Sequence, residues 1–151
     1  MSTAKSIPSW EATHAVRDCC LCLHVQRAAR TLARRFDDAF RPLGLTSGQF
    51  SLLMSLNRPE PPSIGDVAEL LAMDRTTLTA ALKPLARRKL VTIAVDKTDR
   101  RSRLLSLTRS GRALLASAVP VWKKTHAELD AVLPRGGDAL RQDLMALNTP
   151  G

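Results

Sequence analysis

SIGDVAELLAMDRTTLTAALKPLARRKLVTIAVDKTDRRSRLLSL, residues 63–107, decides the fold. Ser63 precedes Ile64, Val67, Leu70 and Leu71, which recur at helical spacing, so its hydroxyl is placed to cap a helix. Ala72 and Met73 lead directly to a second cap at Asp74, and the helix that follows turns Leu78, Leu82 and Leu85 inward. Two helices therefore meet at a tight corner. The opposite side of the second helix offers Arg75, Thr76, Thr79 and Lys83. Pro84 lies inside it and lacks an amide hydrogen; it is expected either to kink the helix after two turns or to sit where a backbone bond is already lost. Residues 91–95 and 103–107 then read as short strands. Asp96-Lys97-Thr98-Asp99-Arg100-Arg101-Ser102 joins them, which predicts a β-hairpin with a basic tip.

Upstream, Thr46-Ser47-Gly48-Gln49 has the form of a capping box ahead of Phe50, Leu52, Leu53 and Leu56, which predicts a short buried helix. Residues 57–62 carry three prolines and read as a loop. From about Glu11 to Arg41, Leu21, Val25, Ala28, Leu32, Phe36, Phe40 and Leu43 recur every three or four positions. This predicts one long helix, ended by Pro42 and Gly44. Residues 1–10 contain Pro8 and no periodicity, and read as a flexible arm. Downstream, Thr108 caps a helix to about Leu133, with Leu114, Leu115, Ala118, Trp122 and Leu129 on its apolar face, and a last helix covers 138–147.

The fold class is thus mainly α with a small β-hairpin wing: a winged helix-turn-helix at 44–108, flanked by helices at 11–43 and 109–151, in a single domain. A lone subunit could not cover both flanking apolar stripes, so they are expected to be dimerisation helices of a homodimer.

The chain has 151 residues, a formal charge of +9 and an isoelectric point near 10.5. An even spread of cations would aid only solubility, so their distribution decides. Residues 74–103 hold nine basic side chains against three acidic ones, whereas 42–73 hold Arg58 against Glu60, Asp66 and Glu69. Localised charge fits a nucleic-acid partner. A helix that starts with Arg and hydroxyl residues suits the major groove of double-stranded DNA, and an Arg on the hairpin suits the adjacent minor groove. Lys97, Arg100 and Arg101 are the hairpin candidates, and Ser63 is counted with the contacts of the helix pair.

No stretch has the length or apolarity of a membrane span or secretory leader, and a cytoplasmic, nucleoid-associated location is expected. Gly-x-Ser-x-Gly, phosphate-loop, His-Glu-x-x-His and Gly-x-Gly-x-x-Gly patterns are absent, so neither catalysis nor a cofactor is expected.

An ordered set of motifs carries a family resemblance: Leu43-Gly44-Leu45-Thr46-Ser47-Gly48-Gln49-Phe50, Ile64-Gly65-Asp66-Val67-Ala68-Glu69-Leu70-Leu71, Asp74-Arg75-Thr76-Thr77-Leu78-Thr79, Leu90-Val91, the wing at 96–101 and Leu107-Thr108-Arg109-Ser110-Gly111. Over roughly residues 15–133 the chain resembles the MarR-type (multiple antibiotic resistance regulator) proteins. The resemblance implies a homodimer with interlocked terminal helices and two recognition helices on successive major-groove faces. It implies that Arg75, Thr76, Thr77 and Thr79 begin the recognition helix, that Arg101 is the wing-tip residue in the minor groove, and that Asp99 is the carboxylate that orients it. It also implies a repressor released by a small effector, aromatic or phenolic, bound between the dimer helices and the wing module.

Cys19, Cys20 and Cys22 form the remaining cluster. On one continuous helix Cys19 and Cys22 share a face, as small interface residues or as redox-active thiols. Cys22 matches the reactive position of the organic-hydroperoxide sensors of the same family, which hold their thiolate with tyrosines; this chain has no tyrosine. Arg17 or His24 could depress a thiol pKa. A metal site drawn from Cys19, Cys22, His24 and either His14 or His126 lacks a second ligand pair at zinc spacing, and none is expected. Two alternatives stand beside the effector-responsive regulator: a thiol-based redox protein, and a constitutive nucleoid-binding protein that binds without sequence preference.

Overall fold

The computed structural model describes residues 7–148. Of the expected arm, residues 1–6 lie outside the described residues, and Ser9 already caps a helix, its hydroxyl accepting from the Ala12 amide at 3.2 Å. That helix, α1 (Trp10–Cys19), is followed by α2 (Leu21–Phe40). The single helix expected over 11–41 is therefore corrected to two. Cys20 has extended backbone angles, its amide closes α1 on the Val16 carbonyl, and its sulfur accepts from the Leu23 amide to open α2. The physical reason is legible in hindsight. The apolar stripe begins at Leu21, and α1 buries none of its residues, so no packing demands continuity across Cys20.

A short 3₁₀ turn (Arg41–Leu43) leads to α3 (Ser47–Ser55), with the Thr46/Gln49 capping box formed in both directions. Next come α4 (Ile64–Leu70), capped reciprocally by Ser63 and Asp66, and α5 (Arg75–Arg87), capped by Asp74. Pro84 neither ends α5 nor divides it. It falls in the last turn, and the helix closes with the Arg88 amide on the Pro84 carbonyl at 3.1 Å.

Strands β1 (Val91–Val95) and β2 (Arg103–Leu107) pair antiparallel, Val91 opposite Leu107 and Val95 opposite Arg103. The 57–62 loop does more than connect. The Leu105 amide donates to the Pro62 carbonyl at 2.9 Å and Ser63 bridges Leu104, which anchors the start of α4 to the hairpin. Thr108 then caps α6 (Arg109–Val132), and α7 (Gly136–Leu147) completes the order. Where α6 leaves the hairpin, a side chain at Gly111 would stand 2.1 Å from the Leu90 carbonyl oxygen, so only glycine lets the two backbones meet.

One core joins these elements. Phe40, Leu53, Leu78, Leu82, Leu85, Leu105 and Val67 are fully buried, and Leu115 and Ala118 of α6 close over them. The helix-turn-helix, the hairpin and the start of α6 are thus a single packed body, from which α1 projects.

Candidate nucleic-acid interface

The N-terminal turns of α5 form the first half of the site. Arg75, Thr76, Thr79 and Lys83 line one shallow open depression of about 340 Å³ on the protein surface. Thr77, expected beside them, does other work: its hydroxyl donates to Asp74 at 2.7 Å and its amide at 2.8 Å, so it serves the cap. These bonds hold the Asp74 carboxyl below its usual value, the hydroxyl being the larger cause and the amide the next. The Thr79 hydroxyl turns back to the Arg75 carbonyl at 2.7 Å. Ser63 is likewise engaged in its capping box, its hydroxyl accepting from the Asp66 amide at 3.1 Å.

The wing is the second half, and its tip is built from two aspartate turns. Asp96 accepts from the Thr98 amide at 2.9 Å and the Thr98 hydroxyl at 2.8 Å, which lowers the pKa of its carboxyl. Asp99 accepts from the Arg101 amide at 3.0 Å, and its own carbonyl accepts from Ser102. The Asp99 carboxylate thus meets Arg101 at its backbone amide, and among the described residues makes no ion pair with the Arg101 guanidinium. Arg103 was not foreseen in this role. Its Nη1 donates to the carbonyls of Arg100 and Ser102, at 3.1 and 3.3 Å, and braces the tip from beneath. The sequence signal was a cation at the first strand position after a tight turn, within reach of the carbonyls that turn leaves open.

Among the described residues, Arg17, Arg35, Arg41, Arg135 and Arg141 each meet a carboxylate, and no such pair falls within 42–108. Arg75, Lys83, Lys97, Arg100 and Arg101 have neither ion pairs nor side-chain hydrogen bonds among the described residues. Uncompensated cations on a capped helix and a braced turn are positioned to receive phosphates.

Two further features lie away from the wing. An apolar groove of about 590 Å³ runs between α2, α6 and α7, lined by Leu32, Leu129, Leu133, Leu140 and Leu144 among others. Nearer the core, Phe36, Phe40, Phe50, Trp122 and His126 form a closed circuit of neighbouring rings, 4.7–6.5 Å between centroids, around a cavity of about 140 Å³ that Ser47 and Ser51 also line. All three phenylalanines of the chain are in it.

The cysteines are not placed as expected. The break at Cys20 puts Cys19 and Cys22 on different helices, so they do not share a helix face, and both are exposed. The Gln26 side-chain amide donates to the Cys22 sulfur at 3.3 Å, while Arg17 pairs with Asp18 and His24 with the Cys20 carbonyl. No group of three His, Cys, Asp or Glu side chains converges among the described residues, and none of the helices there is long and apolar enough to cross a membrane.

A model of the MarR family matches residues 43–102, the stretch from the turn before α3 to the wing tip. The organic hydroperoxide resistance transcriptional regulator of Bacillus subtilis is 30% identical over 129 residues, covering 85% of each chain. The transcriptional activatory protein BadR of Rhodopseudomonas palustris is 35% identical over 95 residues, 61% of this chain. The matched segment spans 54% of BadR and 48% of the transcriptional repressor NicR of Pseudomonas putida, about half the length of each. Among solved structures, the Mycobacterium tuberculosis regulator MosR in complex with DNA superposes with a TM-score of 0.78 at 36% identity, covering 85% of this chain and 92% of MosR. On the similarity to the Bacillus subtilis regulator across 85% of both chains, and on the family match over reader and wing, this chain belongs to the MarR family.

Proposed function

We propose that the protein is a homodimeric transcriptional regulator that reads double-stranded DNA through α5 and the wing and releases it when a small aromatic effector binds, which makes it a repressor. The observation that carries this is the set of unpaired cations at 75–101, in a chain whose other described arginine pairs lie outside 42–108. Arg27, Arg30, Arg109, Arg112, Lys123 and Lys124 also lack ion pairs among the described residues, but those at 75–101 stand together on a capped helix and a braced turn, which supports their meeting an external anion. Residues 44–108 are assigned to DNA. Residues 11–43 and 109–151 are assigned to the dimer, supported by the apolar groove between α2, α6 and α7. DNA contact is assigned to Ser63, Arg75, Thr76, Thr79, Lys83, Lys97, Arg100 and Arg101; Thr77 and Asp99 act on them through the cap and the turn. The aromatic circuit, between dimer helix α2 and reader-module helix α3, is the effector site: its cavity of about 140 Å³ has the size for a benzene-sized ring, aromatic faces to pack on it, and Ser47, Ser51 and His126 to meet a polar substituent. The protein acts at the chromosome in the cytoplasm and catalyses nothing.

The test is selection of duplexes from a randomised pool, followed by a footprint of the enriched sequence on DNA upstream of the protein's own gene, with and without candidate aromatic acids. A two-fold symmetric motif and ligand-dependent release are expected. Enrichment of no sequence would leave the constitutive nucleoid protein standing instead.

A second reading has one observation in its favour: Cys22 is exposed, and its sulfur accepts from Gln26. If oxidation is the signal, mild peroxide weakens DNA binding and Cys22→Ser abolishes that response; equal peroxide sensitivity in wild type and variant removes the thiol from the mechanism.

A further inference from the structure

Arg75 opens α5 with no hydrogen bond or ion pair to hold its guanidinium, yet the side chain has a definite seat. It lies on the bare Cα of Gly65 in the first turn of α4. A methyl group on Gly65 would stand 2.9 Å from Arg75 Nη2 and 3.5 Å from its Cζ, with the Ser63 hydroxyl at an ordinary 3.6 Å. These are the three nearest atoms outside the helix's own backbone and the chain neighbours, and the two nearest both belong to Arg75. Gly65 is not needed for the path of the chain either. It lies inside α4, and the glycines with positive φ are Gly44 and Gly136. A glycine inside a helix lowers its stability relative to alanine. The residue is thus unfavourable for its own helix, unneeded by the backbone, and in contact with one functional cation.

We infer that Gly65 is a positioning residue for Arg75: the missing side chain provides the platform that aims the guanidinium beside Ser63, and so sets the base preference of the reader. The inference rests on the DNA-binding function proposed above. Any larger residue at 65 must push the guanidinium away. The group displaced is the free end of a flexible side chain, so the shift costs the fold nothing and changes only where Arg75 points. Stability and recognition should therefore move in opposite directions.

The experiment is a double-mutant cycle with wild type, Gly65→Ala, Arg75→Ala and the double variant. Wild type first selects a duplex from a randomised pool, and that duplex is the probe. Gly65→Ala is expected to raise Tm by roughly 1–4 °C. It should weaken binding by roughly fivefold and alter the bases enriched in its own selection, whereas Arg75→Ala weakens binding by tenfold or more. In the Arg75→Ala background, Gly65→Ala should change affinity by less than about twofold. If wild type enriches no sequence, the sequence-specific reading proposed above fails and the inference with it. If wild type enriches a motif but the two losses add, or Gly65→Ala keeps the wild-type affinity and base preference, Gly65 does not act through Arg75 and only the inference falls.

Discussion

Individual residues divide into those that make the reader and those that hold it still. The Arg101 guanidinium has no partner among the described residues, and Asp99 and Arg103 fix the turn that carries it. Arg101→Ala should weaken binding to all duplexes alike and lower the slope of log affinity against log salt by about one, the signature of one lost phosphate or minor-groove cation. Arg103→Ala should also weaken binding, through a loosened tip. An unchanged salt slope for Arg101→Ala would take the wing out of the interface. Lys89 illustrates the other kind of residue. It closes the C-terminus of α5 with φ of 57°, a left-handed conformation that glycine adopts without a side-chain penalty. Lys89→Gly is expected to stabilise the protein by about 1 kcal/mol in thermal or urea unfolding. Its carbonyl already accepts from the Thr108 hydroxyl at 2.7 Å, a bond the substitution leaves in place. A loss of stability would mean that the lysine stem itself packs usefully.

At the scale of elements, the caps were legible because each is a local rule. Thr46, Ser63, Asp74 and Thr108 are hydroxyl or carboxylate residues one step before an apolar periodic run, and each accepts from the amide three residues on. The hairpin was equally plain, since both strands are short, β-branched or leucine-rich, and flank a polar turn. The break between α1 and α2 was not: Cys20 carries no helix-breaking signal, and its cap uses a weak sulfur acceptor. Of the candidate site, the cations could be counted in the sequence. Their freedom from partners could not, because pairing depends on contacts far apart in the chain, as in Arg35 with Glu128. The aromatic circuit escaped for the same reason, since its members come from three separated helices.

The caps also set a pH dependence. Thr77 holds the Asp74 carboxyl below its usual value of 3.8, and the Ser63 amide does the same for Asp66. A folded-state pKa below the unfolded one means that the unfolded chain binds more protons in the interval between them. The contribution to stability is therefore complete above about pH 4 and is lost as pH falls through the lowered folded value. Asp74→Asn retains a capping oxygen but cannot titrate. Its Tm should match that of wild type near neutrality and decline less steeply between pH 4 and pH 2. Parallel acid profiles for the two proteins would show that Asp74 is not linked to acid unfolding.

At the scale of the whole molecule, exposed apolar side chains of the described residues gather on the flanking helices. Leu32, Val132, Leu140 and Leu144 are 37–69% exposed, and all four border the same groove between α2, α6 and α7 as Leu129 and Leu133. Helix α1, with Trp10 and Val16 also exposed, has no buried residue among the described ones. Burying the exposed third of Leu144 against a second copy would gain about 0.5–1 kcal/mol per subunit, whereas a carboxylate there would have to be desolvated without a partner. Leu144→Glu should therefore shift the species seen by sedimentation from dimer to monomer, while the reader, whose core residues lie at 40–118, stays folded by circular dichroism. Two readers joined in one dimer bind their second half-site as an intramolecular event, so separating them should cost roughly 10²- to 10⁴-fold in affinity for a two-fold symmetric duplex. Affinity for a single half-site should barely change, because the cations on α5 and the wing are untouched. A Leu144→Glu protein that still sediments as a dimer would place the subunit contact elsewhere, and a folded monomer that binds the symmetric duplex as tightly as wild type would show that one reader suffices.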